Sequence, residues 1–248
     1  MVRTEDHPQH QDIIKIVLNT PLVPGGSCEI ETPFHVKLPY NFSRGGHKGN
    51  SYQITQWYPK PAVYDRKGWH PIPYLNQGEF YSEFGNYRVQ ITVPEKYVVA
   101  ATGIESKPDQ THYNQLFTTI YQQNNAHDFA WFADKRFVVS TDTLQLASGK
   151  IIQAAVYSVK TDKYQKAWGS ALPLIKKAIR KRCSLLGDYP YDNVTVVDAD
   201  VDYAGGMEYP TITAISGIRT EKELEGLIEH EVGHNWFYAA LASNERDH

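Results

Sequence analysis

The sequence predicts a multidomain chain, all-β over residues 1–145 and α+β over residues 146–248. Three observations carry that expectation. Short runs of alternating apolar and polar residues, punctuated by Gly, Pro, Asn and Ser, recur from Ile13 to Leu146 with no helical period among them. After Lys150, strand-like runs alternate with stretches of helix formers. The composition is that of a soluble globular protein, with 41% hydrophobic residues, 21% charged residues and a net charge of −3.

Residues 1–12 are polar and carry no site. Ile13–Leu18 and Ile30–Leu38 alternate as strands do, and Pro24, Gly25, Gly26 and Ser27 turn the chain between them. Residues 41–50 form a loop before a strand near Tyr52–Trp57. Tyr58–Pro73 is rich in proline and aromatic residues, so an irregular loop packed by its own rings is expected there. Strands follow at Gly78–Phe84, Tyr87–Val93, Tyr97–Ala101, His112–Tyr121, Phe129–Ala133 and Phe137–Leu146, the spacing of an antiparallel sandwich or curved sheet.

Asp142–Gly149 is the expected crossing into the second part, which opens with a strand at Ile151–Val159. Asp162–Leu186 reads as a helix kinked near Gly169 and Pro173 and stopped by Gly187, with Lys176, Lys177, Arg180, Lys181 and Arg182 on a solvated face. Strands at Val194–Val197 and Thr211–Ile215 precede a final helix from Thr220 to Leu241.

Composition and patterning set several function classes aside. The mild negative charge argues against a nucleic-acid partner. No apolar run approaches the roughly 18 residues of a membrane span, and the N-terminus lacks the pattern of a secretory leader. Cys28 and Cys183 are far apart and give neither a disulfide framework nor a metal site. The sequence leaves location and oligomeric state open.

The final helix holds the chemistry. Thr220 and Glu223 have the spacing of a capping box, which fixes its start. Leu224, Leu227, Ile228, Val232, Trp236, Phe237 and Leu241 point in nearly every direction, so the helix and its histidines are expected to be buried all round. Within it lies His230-Glu231-Val232-Gly233-His234. Histidines four apart share one helix face, so both imidazoles are able to grip one Zn²⁺ while Glu231 stands beside it. A catalytic zinc keeps a position open for water, lowers its pKa to about 7 and leaves a neighbouring carboxylate to take the proton.

The residues C-terminal to the motif sort its variants. A metzincin needs Gly and a third His shortly after the second histidine, where this chain has Phe237 and Ala240. A gluzincin takes a Glu from a following helix. Glu245, the one later Glu, would lie about 16 Å along the axis if the helix continued, too far to serve.

Asp198, Asp200 and Asp202 have the opening spacing of a calcium loop, but Tyr203 and Tyr209 stand where that loop needs Gly and Glu. They read as solvated strand-end carboxylates. The adjoining Gly205-Gly206-Met207-Glu208-Tyr209 is more informative. Two glycines admit close approach of a ligand backbone, a strand edge there could pair with an extended peptide, and Glu208 could meet a cation.

In order and spacing the two motifs resemble the zinc aminopeptidases of the aminopeptidase N type, gluzincins in which a Gly-Ala-Met-Glu-Asn segment precedes the H-E-x-x-H helix. Gly187-Asp188-Tyr189-Pro190-Tyr191 and His127-Asp128-Phe129-Ala130-Trp131 also resemble family segments. The resemblance implies a saddle-like antiparallel β domain followed by the first part of a thermolysin-like catalytic domain. It implies zinc as cofactor, held by His230 and His234, with Glu231 as general base. Peptides would be the substrates, their main chain lying along Gly205, Gly206 and Met207 and their N-terminal amine on Glu208.

Tyr209 departs from the family's Asn, and Tyr58 falls where many members carry Gln or Glu near the amine. The family's third zinc ligand would fall beyond His248. A fragment of a longer enzyme, with little activity of its own, is therefore expected. The alternative is a non-catalytic peptide-binding or interaction module on the same fold.

Overall fold

The computed structural model describes residues 3–41, 43–75, 78, 80–159, 165–199 and 205–246. In chain order the first strands are β1 (Arg3–Asp6), β2 (Ile14–Val17), β3 (Gly46–Lys48), β4 (Ser51–Ile54), β5 (Val63–Asp65) and β6 (Gly68–His70). Then come β7 (Gly85–Pro94), β8 (Val98–Ala101), β9 (Ile104–Tyr113), β10 (Leu116–Ala126), β11 (Trp131–Asp134), β12 (Phe137–Gln145) and β13 (Ile151–Val159). Helices α1 (Gln165–Trp168) and α2 (Ala171–Leu186) lead to β14 (Asn193–Asp198), β15 (Gly205–Tyr209), β16 (Ile212–Ser216) and α3 (Glu221–His234). Antiparallel sheets dominate and helices are few. No helix among the described residues is long and apolar enough to cross a membrane.

Two compact units divide the chain. The smaller takes the described residues of Met1–Lys37, Tyr58–Glu83 and Asn244–His248, with the two-stranded sheets β1–β2 and β5–β6. Here the structure corrects two expectations. Ile30–Leu38 forms no strand, and its apolar residues Ile30, Phe34 and Val36 stay exposed. Alternation alone made no strand because no described chain pairs with it. Within Tyr58–Pro73, conversely, β5 and β6 form a tight hairpin, with Tyr64 and Trp69 paired across it at a ring separation of 4.9 Å. The prolines flank the hairpin rather than interrupt it.

The larger unit takes Leu38–Trp57 and Phe84–Ser243. It holds the sheets β7–β10–β9, β3–β4–β11–β8 and β12–β13–β14–β16–β15. Strands β13, β14 and β16 run parallel, and α1 and α2 cross over between β13 and β14 as a parallel pair requires. Residue 145 ends β12, which pairs with β13 along its whole length within this sheet. The expected long helix is broken at Gly169 and Ser170 into α1 and α2, and Pro173 is accommodated in the first turn of α2.

Alternation along the five-stranded sheet builds two cores. Ile152, Ala154, Val156, Val194, Val196 and Ile215 face Leu174, Ile175, Ala178 and Ile179 of α2 and Leu224, Ile228 and Val232 of α3. On the other face Val159, Val197, Met207, Tyr209, Ile212 and Ala214 join Ala100, Ala130 and Phe132. Full burial of each large side chain contributes about 1.5–3 kcal/mol. Packed on both sides, the sheet holds its edge strand β15 in a fixed position beneath α3.

Candidate functional site

Helix α3 begins as its residues dictate. Thr220 accepts from Glu223 N at 3.2 Å and the Glu223 carboxylate accepts from Thr220 N at 3.1 Å, a complete capping box. Leu224, Ile228 and Val232 seat one stripe of the helix in the core, with Glu231 and Gly233 buried beside them. The helix is not buried all round: His230 is exposed, His234 half-buried, and Phe237 and Leu241 are about half exposed or more. The wide spread of apolar positions overstated burial because the last turn of the helix reaches the surface.

The two imidazoles converge. Their Nε2 atoms are 3.2 Å apart and the ring planes stand at 88°. Two nitrogens bound at 2.0–2.1 Å to one tetrahedral ion would stand about 3.3 Å apart, so the spacing fits a shared zinc. His230, Glu231 and His234 offer ligand atoms that all lie within 4.8 Å of one another, a donor set of two neutral nitrogens and a carboxylate. Burial, reinforced by the neighbouring His230 and Arg182, lowers the pKa of His234 to about 4. At neutral pH that ring therefore holds the unprotonated form that binds metal.

Strand β15 brings the second group of residues. Because side chains alternate, Met207 and Tyr209 enter the core on one face while Gly206 and Glu208 turn to α3 on the other. Glu208 is 8% exposed, and its Oε1 is 3.6 Å from Nδ1 of His234. Gly206 lies directly against Glu231; a Cβ there would overlap the Glu231 carboxylate, so that carboxylate is packed on bare backbone. Gly205 has φ +142°, in the region that favours glycine. Among the described residues only β16 flanks β15, which leaves its outer edge as a rim of the sheet.

All seven residues singled out from the sequence thus lie on two adjoining elements. Gly206 and Glu208 face the helix that carries His230, Glu231 and His234, whereas Met207 faces the opposite core and Gly205 shares its register. Tyr209, 2% exposed, also packs there, 6.3 Å from Phe132, so its ring is on the other side of the strand from Glu208. Asp198 accepts from Val159 N at 3.0 Å, whereas Asp200 and Asp202 lie outside the described residues. Tyr58 belongs to the smaller unit, where Lys60 Nζ lies 5.6 Å from its ring centre.

Sequence reading missed three residues. Arg182, assigned to a solvated basic face, leans instead over Gly233 and donates to the Glu229 carbonyl. Its neighbours behave as expected, Lys177 pairing with Glu225 and Lys181 with Glu229. A glycine inside the motif was the available signal that something packs closely there. Asn235 and Thr211 also went unremarked, although Asn235 directly follows the second histidine.

Neither a protein-family model nor a curated protein matches the chain. Solved structures do. The fold is similar to that of an M1 zinc metallopeptidase from Deinococcus radiodurans, at 18% identity and a TM-score of 0.62, covering 98% of this chain and 53% of that one. A mutant of the same protein bound to a Tyr-Ser-Ala substrate matches at 17% identity and a TM-score of 0.62, over 98% and 54% of the two chains. An aminopeptidase A from Legionella pneumophila in complex with aspartic acid matches at 13% identity and a TM-score of 0.59, over 80% and 24%. At these identities the likeness is one of fold. The chain spans about half the length of the Deinococcus structures it matches.

Proposed function

We propose that this chain carries the metal- and amine-binding half of a zinc-dependent aminopeptidase site. The observation that carries the reading is the 3.2 Å approach of His230 and His234 Nε2, flanked by Glu231 and Glu208. His230 and His234 would hold zinc, which when bound supplies Lewis acidity toward a peptide carbonyl and toward water.

The chain's own groups then have distinct tasks. Glu231 accepts a proton from the attacking water at a carboxylate oxygen and passes it to the leaving amine. Its place against Gly206 holds it still between the two events. The outer edge of β15 pairs with an extended peptide, the Gly205 and Gly206 backbone allowing close approach and Met207 fixing the strand from its core side. Glu208, nearly buried, accepts charge-assisted hydrogen bonds from a protonated N-terminal amine, which favours trimming from the end of a chain over internal cleavage.

The M1 metallopeptidase folds of the matched structures support the same reading. So does the change after Lys150 to alternating strands and helices, on which the division into an all-β part (1–145) and a thermolysin-like part (146–248) is proposed. The zinc-loaded chain, expected to have little activity of its own, and a longer enzyme that contains it are each assayed on an amino-acid amide and on its N-acetylated form, the longer enzyme beside its Glu231→Gln variant. Hydrolysis confined to the free amine and reduced about 10²–10⁴-fold by the substitution is the expected result. Equal rates for Glu231→Gln would overturn it. A peptide that binds but is never cut would favour a binding module.

A further inference from the structure

The turn joining β15 to β16 is Pro210-Thr211, with Tyr209 and Ile212 paired across it. Proline holds φ near −65° and Thr211 lies at φ +66°, the pairing of a type II turn, whose second centre favours Gly or Asn. A β-branched residue in the left-handed region is strained, and such strain persists only where surrounding contacts over-determine it. Thr211 is fully buried, and each of its polar groups is held by a different element. Its N–H donates to Asn235 Oδ1 at 3.0 Å, its carbonyl accepts from Thr195 N at 2.8 Å, and its hydroxyl oxygen accepts from Gly103 N at 2.8 Å. The Asn235 amide group in turn donates to the Val232 carbonyl at 3.2 Å, inside the helix that carries both histidines.

We infer that Asn235 is a positioning residue: through Thr211 it clamps the turn of β15 to α3 and so sets where Glu208 stands relative to His234. The clamp acts at both ends of that relation. Asn235 is the residue after His234, at the point where the α-helical backbone gives way to a π-helical turn over Asn235–Ala239. Thr211 is three residues from Glu208, and Glu208 pairs with Thr213 in register from that turn. The register is held further by Thr213 Oγ1, which donates to the Met207 carbonyl at 3.0 Å. A loosened turn would let β15 slide along or away from α3. Both the 3.6 Å separation of Glu208 from His234 and the contact of Gly206 with Glu231 depend on that placement.

The functional consequence rests on the reading of Glu208 as the group that binds an N-terminal amine, and the test separates the two. Zinc-loaded protein and its Asn235→Ala and Asn235→Asp variants are compared for binding of trialanine and of N-acetyl-trialanine, and for amide hydrogen exchange along the five-stranded sheet. Asn235→Ala is expected to keep its zinc and to lose about tenfold of the preference for the free amine as Glu208 leaves its place, while the buried Thr211 N–H left without its acceptor lowers stability. Its exchange should quicken in β15 while β12 and β13 stay protected. Asn235→Asp keeps an oxygen for Thr211 N and should recover part of both effects.

An unchanged preference, or exchange that quickens equally in all five strands, would overturn the clamp. If the unsubstituted protein shows no preference for the free amine, the reading of Glu208 falls, and the exchange pattern alone decides on the clamp. Should Asn235→Ala not fold, Asn235→Ser is too short to reach Thr211 and carries the same readouts.

Discussion

The two faces of β15 are built from the same five residues and have opposite character. Met207 and Tyr209 enter an apolar core with Phe132, Val197, Ile212 and Ala214. Gly206 and Glu208, one position out of step, meet a carboxylate and an imidazole of α3. A strand's period of two lets one short segment anchor itself with one set of side chains and offer the other set to a site. The anchoring face resists displacement, so a nearly buried carboxylate on the other face keeps its place.

Substitutions confined to one face should separate anchoring from chemistry. The largest effect on folding is expected from Phe132→Ala on the anchoring side, about 3–5 kcal/mol of stability measured by denaturant unfolding. Zinc bound per folded molecule should not change. Gly206→Ala on the site side is expected to do the reverse. It should cost less stability, about 1–3 kcal/mol for the overlap, but push Glu231 from its seat, lowering hydrolysis of an amino-acid amide by a longer enzyme that contains the chain at least tenfold with zinc retained. Were the two variants to lose stability and activity in parallel, the faces would not be separable.

A smaller effect tests the electrostatics of the site in metal-free protein. The His234 pKa is lowered from 6.5 to about 4, chiefly by burial. A group depressed in the folded state contributes stability that is fully present above its unfolded pKa. That contribution is therefore in place above pH 6.5 and is lost as the pH falls toward 4. NMR titration of the ring should find its midpoint in the acid range, and a midpoint near 6.5 would show that the ring is solvated.

The parts legible in the sequence were those with a local cause. The capping box of α3, the shared face of His230 and His234, and strands β12, β13, β14 and β16 all follow from spacings within one element. What escaped depended on partners distant in sequence. Ile30–Leu38 alternates like a strand but pairs with no described chain, while β5 and β6 form a hairpin among prolines. Arg182 looked like one more exposed cation until Gly233, some fifty residues on, offered it a seat. Thr211 gives no hint of its left-handed backbone because its strain is held by Gly103, Thr195 and Asn235, three separate elements.

Zinc titration with a competing chelator, followed on the unsubstituted chain and on His230→Ala, His234→Ala and Glu231→Gln, decides whether the two imidazoles hold a metal. One zinc per chain that is lost in both histidine variants and kept in Glu231→Gln, with all four proteins equally folded, is the predicted result. Zinc bound undiminished by His234→Ala, or no zinc taken up by the unsubstituted chain, would contradict it and leave the 3.2 Å approach of the two rings a hydrogen bond between imidazoles.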